Sequence, residues 1–440
     1  MTAPPRSGGR LRVLFLNRSY WPDVEATGQL LTELCEDLAS DFDVTVIAGQ
    51  PNQTPAGVEF RRHGGQTRNG VRIRRVWNTR FPKRYLIGRA VNLLSYLAGA
   101  WMAVLTAASH DVVVVETDPP LLCLVGAFLQ RWRGAKLVVY LQDIYPDIAI
   151  ALGKLPGGLV ARCLHRVLYG TYRRADRVVV LSRDMEQLLV NSGVTSRRIS
   201  RIPNWVDTDR VIPRLDTNTF RSEHGLEDSF VVMYSGNMGL CQRLDDVIAA
   251  AARLRCRQDV RIVLVGDGAS RHRLEELVLQ AGLPNVQFLP YQPKERLAES
   301  LSAADLHLVP LDPRVSSCLM PSKLYGVLAS GTALLAIAPQ DCELSELTRR
   351  YGVGLVVSPG DSEALAEAVL WGLEHREQLE EMGIAARKLA ERRFDRRRST
   401  RRFARMLARL FSTGRGLRQA PPAPVGHAPL HLHSPAGERA

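Results

Sequence analysis

The sequence lacks the cysteine spacing of a disulfide framework or a structural zinc site. Its seven cysteines are scattered along 440 residues, and no two of them are spaced as CxxC. An odd number of unclustered cysteines is typical of a reducing compartment. The first ten residues are polar, and the apolar run at 13–16 is too short for a signal peptide. We therefore expect a cytoplasmic protein.

Acidic residues are in short supply, 45 against 58 basic ones, which gives a net charge of +13. This excess suits an anionic partner such as nucleic acid, a nucleotide or an acidic membrane surface. No stretch interleaves basic and aromatic residues as a nucleic-acid-binding module does. A basic nucleic-acid-binding protein is therefore an alternative that only the charge supports, and we expect no nucleic-acid partner.

Charge is absent from residues 90–108, which follow the basic residues Arg80, Lys83, Arg84 and Arg89. A membrane-spanning helix needs about 20 apolar residues, and this stretch is of marginal length and contains polar side chains. Three interpretations remain open: a helix partly buried in the first domain, a helix in the membrane interface with its arginines at the headgroups, or a true span.

Short apolar runs rich in β-branched residues alternate with longer amphipathic segments, as in a parallel sheet covered by helices on both faces. The predicted strands of the first half are 12–17, 44–48, 71–76, 112–116, 136–141 and 177–181. After a Pro- and Asn-containing linker at 202–213, the predicted strands are 230–235, 261–265, 286–288, 306–309, 334–337 and 354–356. This pattern predicts an α/β protein with two Rossmann-like domains facing each other across a cleft.

The predicted domains are residues 11–205 and residues 206–393, followed by a basic helix at 394–413. The tail, 414–440, is rich in Pro, Ala, Gly and His. Segments so poor in large apolar residues do not pack into a core, so we expect the tail to be disordered.

Glycine turns follow two predicted strands of the second domain. Gly236, Asn237 and Gly239 follow the first, and Gly266 and Asp267 follow the second. Glycine lets backbone N–H groups approach an anion, and ligands of open α/β sheets bind at the carboxyl ends of the strands. The same turns also occur where a strand is merely connected to a helix, so both interpretations stay open here.

A helix is predicted to start after Pro321. Ser322 and Lys323 lie at its N-terminal end, where the backbone N–H groups are free, and Gly331 ends it. A lysine at that end opposes the helix dipole. A bound diphosphate would remove this conflict.

Taken in order, these motifs resemble the retaining glycosyltransferase family 4, most closely the bacterial enzymes of exopolysaccharide and O-antigen assembly, of the colanic-acid and fucosamine-transferring kind. The resemblance runs from about residue 11 to residue 411. The motifs that carry it are GNMG at 236–239, VGDG at 265–268, PSKLY at 321–325, DCE at 341–343, VSPGD at 357–361, NRSYWP at 17–22 and DIYP at 143–146.

The resemblance implies a GT-B fold in which the first domain binds the acceptor, the second binds a nucleotide-diphosphate sugar, and the C-terminal helix returns to the first domain. It implies no obligatory metal and no other cofactor. Arg243 and Lys323 match the basic pair that grips the donor diphosphate. Asp143, Ser322 and Glu343 inherit sugar contacts, and Gly28 belongs to the acceptor-side loop.

Four positions depart from the family pattern. The family often has two glutamates eight positions apart at the donor sugar, and Cys318 and Gly326 stand in those places. Asn237 replaces a common arginine, and Gln142 replaces a common histidine. Structural roles also stay open, since Asp143 could cap a turn, a glutamate at 343 is ordinary in a first helical turn, and Arg243 could be solvated.

The expected function is therefore sugar transfer to a polyprenyl-diphosphate-linked saccharide at the inner face of the cell membrane, with retention of configuration. A sugar-nucleotide epimerase of the same shape is the main alternative. A dinucleotide-dependent reductase fits less well, because no GxGxxG motif follows the first predicted strand.

Overall fold

The structure of the chain is a computed structural model that describes residues 9–51, 54, 58–61, 64–81, 86–213 and 218–412. The predicted tail, 414–440, lies outside these residues, as do Lys83 and Arg84. The domain bounds at 205 and 393 stay predictions.

In the described part of the first half, eight strands form one sheet in the order β3-β4-β2-β1-β5-β6-β7-β8. All neighbouring pairs are parallel except β3 with β4. The strands are β1 (Arg12–Leu16), β2 (Asp43–Ala48), β3 (Gly64–Arg68), β4 (Val71–Arg75), β5 (Val112–Val115), β6 (Lys136–Tyr140), β7 (Arg177–Val180) and β8 (Ile199–Arg201).

The second sheet is parallel throughout, and the described residues give it six strands in the order β11-β10-β9-β12-β13-β14. Its four inner strands are almost fully buried, as expected for a sheet covered on both faces, and its two edge strands are half-buried. They are β9 (Phe230–Ser235), β10 (Val260–Val265), β11 (Val286–Leu289), β12 (Leu306–Pro310), β13 (Ala333–Ile337) and β14 (Gly354–Val357).

Helices connect the strands and cover both sheets. They are α1 (Ala26–Leu38), α2 (Leu86–Thr106), α3 (Leu122–Arg133), α4 (Asp147–Ala151), α5 (Leu159–Arg174), α6 (Arg183–Asn191), α7 (Thr219–Glu223), α8 (Leu244–Arg253), α9 (Arg271–Ala281), α10 (Leu297–Ser302), α11 (Lys323–Ala329), α12 (Glu343–Arg350), α13 (Ser362–Glu374), α14 (Arg376–Leu389) and α15 (Arg396–Ser412).

Every strand predicted from the sequence is present, with ends that differ by at most one residue. The predictions missed β3 and β8. Strand β3 is the segment GGQTR, which has no apolar residue and pairs at the sheet edge, and β8 is only three residues long. Neither shows the apolar run on which strand prediction depends.

The backbone crosses between the domains twice, at adjacent places. The N–H of Val206 donates to the carbonyl of Phe394 at 3.0 Å, and the N–H of Arg396 donates to the carbonyl of Val206 at 3.0 Å. Trp205 and Val206 are buried, so the predicted linker at 202–213 is a packed segment at this point.

Helix α15 then packs against α1 of the first domain. The ring of Phe403 lies 5.4 Å from that of Tyr140 and 6.3 Å from that of Phe15, and Arg396 bonds Asp37 at 2.6 Å. The predicted fold class, including the return of the C-terminal helix to the first domain, is confirmed.

Helix α2 contains most of the uncharged stretch at 90–108. Its inner face is anchored by Tyr96, which is fully buried and donates from its hydroxyl to the carbonyl of Ile47 at 3.0 Å. The polar Asn92 is also satisfied locally, since its side chain exchanges hydrogen bonds of 2.9 Å with the backbone of Phe81. Among the described helices, none combines the length and apolar character that a membrane crossing requires.

Candidate active site

The predicted site residues of the second domain follow the carboxyl ends of β9, β10, β12 and β13, where parallel strands place their ligands. The first domain meets this edge through the loop after β6. The N–H of Ile144 donates to the carbonyl of Cys318 at 2.9 Å, and Asp143 forms a backbone bridge with Leu319. Asp143 therefore lies at the junction of the two domains.

The two glycine turns of the second domain are in direct contact. The N–H of Gly236 donates to the carbonyl of Val265 at 2.9 Å, and the N–H of Met238 donates to the carbonyl of Asp267 at 2.8 Å. A Cβ atom on Gly266 would collide with the carbonyl oxygen of Gly236. Close backbone packing between the turns thus already requires a glycine at 266.

Two of the other predicted donor-binding residues of these turns carry polar side chains. The side chains of Asn237 and Asp267 are exposed, and the carboxylate of Asp267 accepts the N–H of Gly268 at 2.7 Å. The N–H of Gly239 donates to the side-chain oxygen of Gln242 at 3.0 Å. The side chains of Asn237 and Asp267 are therefore both open to a ligand, and Asn237 is the uncharged one of the two.

Lys323 begins α11 and is partly buried beside the first glycine turn. Its ammonium nitrogen lies 4.7 Å from the ring centre of Tyr234. A Cβ atom on Gly236 would come within 3.1 Å of the Lys323 Cε, so this glycine leaves room for the lysine. Within the described residues, Lys323 has no ion pair or hydrogen bond from its ammonium.

Burial lowers the pKa of Lys323 to about 8. A cation that the protein itself compensates so little is suited to an anionic ligand. Ser322, just before it, is exposed and caps no backbone N–H group.

Arg243 is held differently from Lys323. Its guanidinium makes two hydrogen bonds to the carboxylate of Asp246, at 2.9 and 3.1 Å. Asp246 also accepts the N–H of Gly360 at 2.9 Å, which ties this turn to the segment after β14. The hydrogen bond to Asp246 raises the pKa of Arg243. A ligand would therefore have to share this arginine with Asp246 or displace the carboxylate.

Asp143 is partly buried at the domain junction. The pKa of Asp143 is raised to about 6, mainly by burial and in smaller part by the carboxylate of Asp118, while Lys154 acts in the opposite direction. Asp143 in turn raises the pKa of the Cys241 thiol, so it lies within electrostatic reach of the turn after β9. The fold thus brings Asp143 of the first domain close to the lysine and glycine turn of the second.

Glu343 makes its contacts to the first domain. Its carboxylate accepts the N–H of Arg183, the first residue of α6, while its own N–H donates to the carboxylate of Asp184 at 2.6 Å. The amino ends of α6 and α12 therefore cap each other across the domain boundary. Burial raises the pKa of Glu343.

Gly28, predicted to belong to an acceptor-side loop, packs closely against the loop after β1. A Cβ atom there would lie 3.3 Å from the backbone of Ser19 and Tyr20, so α1 comes close to the loop after β1. This is tighter than most side-chain contacts in proteins.

Sequence reasoning missed Glu116 and Lys154. Glu116 follows the four consecutive valines of β5 and is 1% exposed, and burial holds its pKa well above the usual range of a glutamate. Its position after a buried strand was a usable signal. Lys154 stands outside any motif, and only the fold brings it to the junction. Across the described residues, no group of three or more His, Cys, Asp or Glu side chains is placed to hold a metal ion.

Comparisons with known proteins cover both halves. A family profile described as Glycosyl transferase 4-like domain matches residues 26–205, and one described as Glycosyl transferases group 1 matches residues 216–389. WcaI of Escherichia coli K12, described as a colanic acid biosynthesis glycosyl transferase, is 28% identical over 408 residues, which are 89% of this chain and 98% of WcaI.

Two further similarities extend this result. WbjE of Pseudomonas aeruginosa, described as a glycosyltransferase, is 28% identical over 262 residues, which are 59% of this chain and 65% of WbjE. The solved structure of Anabaena HepE in complex with UDP-glucose matches with a TM-score of 0.70 at 19% identity, over 91% of this chain and all of HepE. The structural likeness shows the GT-B fold.

Proposed function

Since this chain belongs to the glycosyltransferases that join a 4-like domain to a group 1 domain, we propose that it moves a sugar from a nucleotide-diphosphate donor to a lipid-linked saccharide in cell-surface polysaccharide synthesis. The enzyme class follows from both family profiles. The donor, the acceptor, the stereochemistry and the membrane setting form the proposal.

The observation that carries the donor assignment is the uncompensated ammonium of Lys323 beside the glycine turn. A leaving diphosphate gains negative charge in the transition state, and a preorganised cation nearby stabilises that charge. HepE, which has the same fold, binds UDP-glucose. Asn237, exposed on the same turn, supplies a polar side chain for the donor.

Lys323 and Arg243 together would compensate the diphosphate without an obligatory metal. Arginine can pair with phosphate oxygens in a bidentate manner, whereas lysine acts as a point charge. Because Asp246 already holds Arg243, we assign the main electrostatic role to Lys323 and a supporting role to Arg243.

We propose that the transfer retains configuration by a front-face reaction. The bond between the anomeric carbon and the diphosphate oxygen breaks, and the acceptor oxygen bonds to that carbon on the same face. The acceptor proton passes to the leaving phosphate oxygen. Asp143 lies at the domain junction and would orient the acceptor hydroxyl.

The acceptor assignment is supported by an apolar ridge along the outer face of α2. Exposed apolar side chains recur every three or four residues along this face, except between Leu94 and Met102. An exposed apolar helix face of this kind suits the membrane interface. The exposed side chains are Ile87, Val91, Leu94, Met102 and Leu105.

Two further helices of the first domain also expose side chains that suit a membrane surface. Helix α3 contacts both α2 and α5, and it exposes Trp132 in its last turn. Helix α5 presents the exposed Arg162 and Arg166. An apolar ridge on a protein with a net charge of +13 suits an anionic lipid surface, so we place the protein peripherally on the inner face of the cell membrane.

The test is calorimetric titration with UDP and with GDP, with and without a metal chelator. We expect one nucleotide to bind equally well in both conditions and to bind much more weakly to Lys323→Ala. Lys388→Ala, at an exposed lysine of α14, is the matched control and should bind as the wild type does. Conversion of a nucleotide sugar to its epimer without an acceptor would favour the epimerase instead.

A further inference from the structure

The segment between α4 and α5 carries Lys154 to the boundary between the domains. Helix α4 packs against the turn Pro313–Val315 of the second domain. The N–H of Lys154 donates back to the carbonyl of Ala149 at 2.9 Å, which folds the lysine against the end of this helix. Next to the same turn, the N–H of Asp312 donates to the carbonyl of Cys241 at 3.0 Å. Lys154 therefore lies on the side of the junction that holds the turn after β9.

The charge of Lys154 has no carboxylate partner within hydrogen-bonding distance among the described residues, and its side chain is exposed. Burial raises the pKa of the Cys241 thiol, and both Lys154 and Lys323 lower it. Lys154 of the first domain and Lys323 of the second therefore both lie within electrostatic reach of Cys241. Lys323 stands on the donor side and Lys154 on the acceptor side.

Exposed aliphatic side chains flank Lys154 in the chain. Ile150 precedes it on α4, and Leu159 and Val160 follow it at the start of α5, with exposed fractions of 77% and 70% for the last two. A cation between exposed aliphatic groups matches an amphiphile that joins an anionic head to a hydrocarbon chain. A nucleotide would match the cation alone.

We propose that Lys154 binds the diphosphate of an isoprenoid-diphosphate-linked acceptor, and that Ile150, Leu159 and Val160 contact the adjoining hydrocarbon. This inference rests on the proposed function, and it assigns the two diphosphates of the reaction to separate lysines, Lys323 for the donor and Lys154 for the acceptor. Separate cations offset the repulsion between two anionic groups that must enter one cleft. Lys154 would position the acceptor and take no part in bond making.

The experiment uses the full chain and farnesyl diphosphate as the probe, measured by calorimetry without nucleotide. We expect Lys154→Glu to lower its affinity about tenfold or more, a change of about 1.4 kcal/mol. Lys154→Arg should restore most of the binding, because it keeps the charge. Lys323→Ala and the matched surface variant Lys388→Glu should bind the probe as the wild type does.

A second arm tests the hydrocarbon contact. The double variant Leu159→Ser with Val160→Ser should weaken farnesyl diphosphate binding and leave inorganic pyrophosphate binding unchanged. Equal affinity of the wild type for both probes would overturn the proposal, as would wild-type probe binding by Lys154→Glu.

The nucleotide titrations separate this inference from the proposed function. If UDP or GDP binds and its affinity drops in Lys154→Glu, the lysine belongs to the donor site and the inference is wrong while the function stands. If neither nucleotide binds but the probe still depends on Lys154, the donor assignment fails and the isoprenoid-diphosphate site stands.

Discussion

The ammonium nitrogen of Lys323 lies 4.7 Å from the ring centre of Tyr234, on the side where the glycine turn leaves space. Tyr234 is itself buried, and its hydroxyl donates to the carbonyl of Asn237 at 2.5 Å. The aromatic ring therefore holds both the lysine and the conformation of the turn. Replacing the lysine removes a charge but leaves this hydrogen bond in place.

We expect Lys323→Ala to lower turnover by about a hundredfold or more, because removing a preorganised charge from a leaving group has this scale of effect. The fold should persist, since the ammonium has no ion pair to lose among the described residues. Steady-state rates and thermal unfolding, with Lys388→Ala measured in parallel, check this. Wild-type turnover in Lys323→Ala would remove the lysine from the reaction.

Nucleotide affinity should fall as pH rises above about 8. The pKa of Lys323 is lowered by burial to about 8, so the free protein loses this cation as pH increases through that value. Above it, affinity should drop by up to about tenfold per pH unit until the pKa of the bound state is reached. Calorimetry between pH 6.5 and 10, on the wild type and on Lys323→Arg, measures this.

The arginine variant is the control for that series, because its pKa is far above the range. Its affinity should stay level across the same interval. A matching decline in Lys323→Arg would place the titrating group elsewhere.

The transfer rate should rise with pH through about 6. Asp143 has a pKa raised by burial to about 6, so it is protonated below this value and anionic above it. An anionic Asp143 accepts a strong, charge-assisted hydrogen bond from the acceptor hydroxyl, whereas the protonated form accepts only a weaker bond at its neutral carbonyl oxygen. Asp143→Asn should react slowly and lose the acidic limb of the pH profile. An unchanged acidic limb in this variant would exclude Asp143 as its source.

Gly266→Ala should destabilise the second domain by roughly 3 kcal/mol, because the new Cβ collides with the carbonyl of Gly236 and φ is +135°. Gly170→Ala is a matched control in α5, where a Cβ meets nothing within 4 Å and alanine favours the helix by up to about 1 kcal/mol. Chemical denaturation of both variants and the wild type measures the free energies of unfolding. Equal stability of Gly266→Ala and the wild type would mean that the two turns separate easily.

Binding to vesicles that contain anionic lipid should depend on the ridge of α2. We expect Leu94→Glu with Met102→Glu to lower the partition coefficient by about a hundredfold, since two apolar contacts become repulsive charges. Leu279→Glu, at a leucine of α9 in the second domain that is more exposed than Leu94 or Met102, should partition like the wild type. Co-sedimentation with the vesicles measures the partition coefficient. If the α2 substitutions leave it unchanged, the ridge of α2 does not contact the membrane.

The sequence predicts the buried parts of this fold well, because strands such as β5 and β9 are continuous apolar runs whose period and length are local properties. It also identified Lys323, which lies in the PSKLY motif at 321–325. The partner of Arg243 and the cross-domain contacts of Glu343 could not be foreseen, since both depend on which segments the tertiary fold brings together. For the same reason, the sequence did not predict Lys154 as a site residue.

The paired crossings at Val206 and Phe394 change what a broken backbone would do. The two segments are hydrogen-bonded to each other, and α15 stays packed against the first domain through Phe403. Hydrolysis of one peptide bond in the linker at 202–213 would therefore give two fragments that stay associated, because α15 belongs covalently to the second fragment but packs against the first domain. A protease would have to cut the chain at both places to release two independent halves.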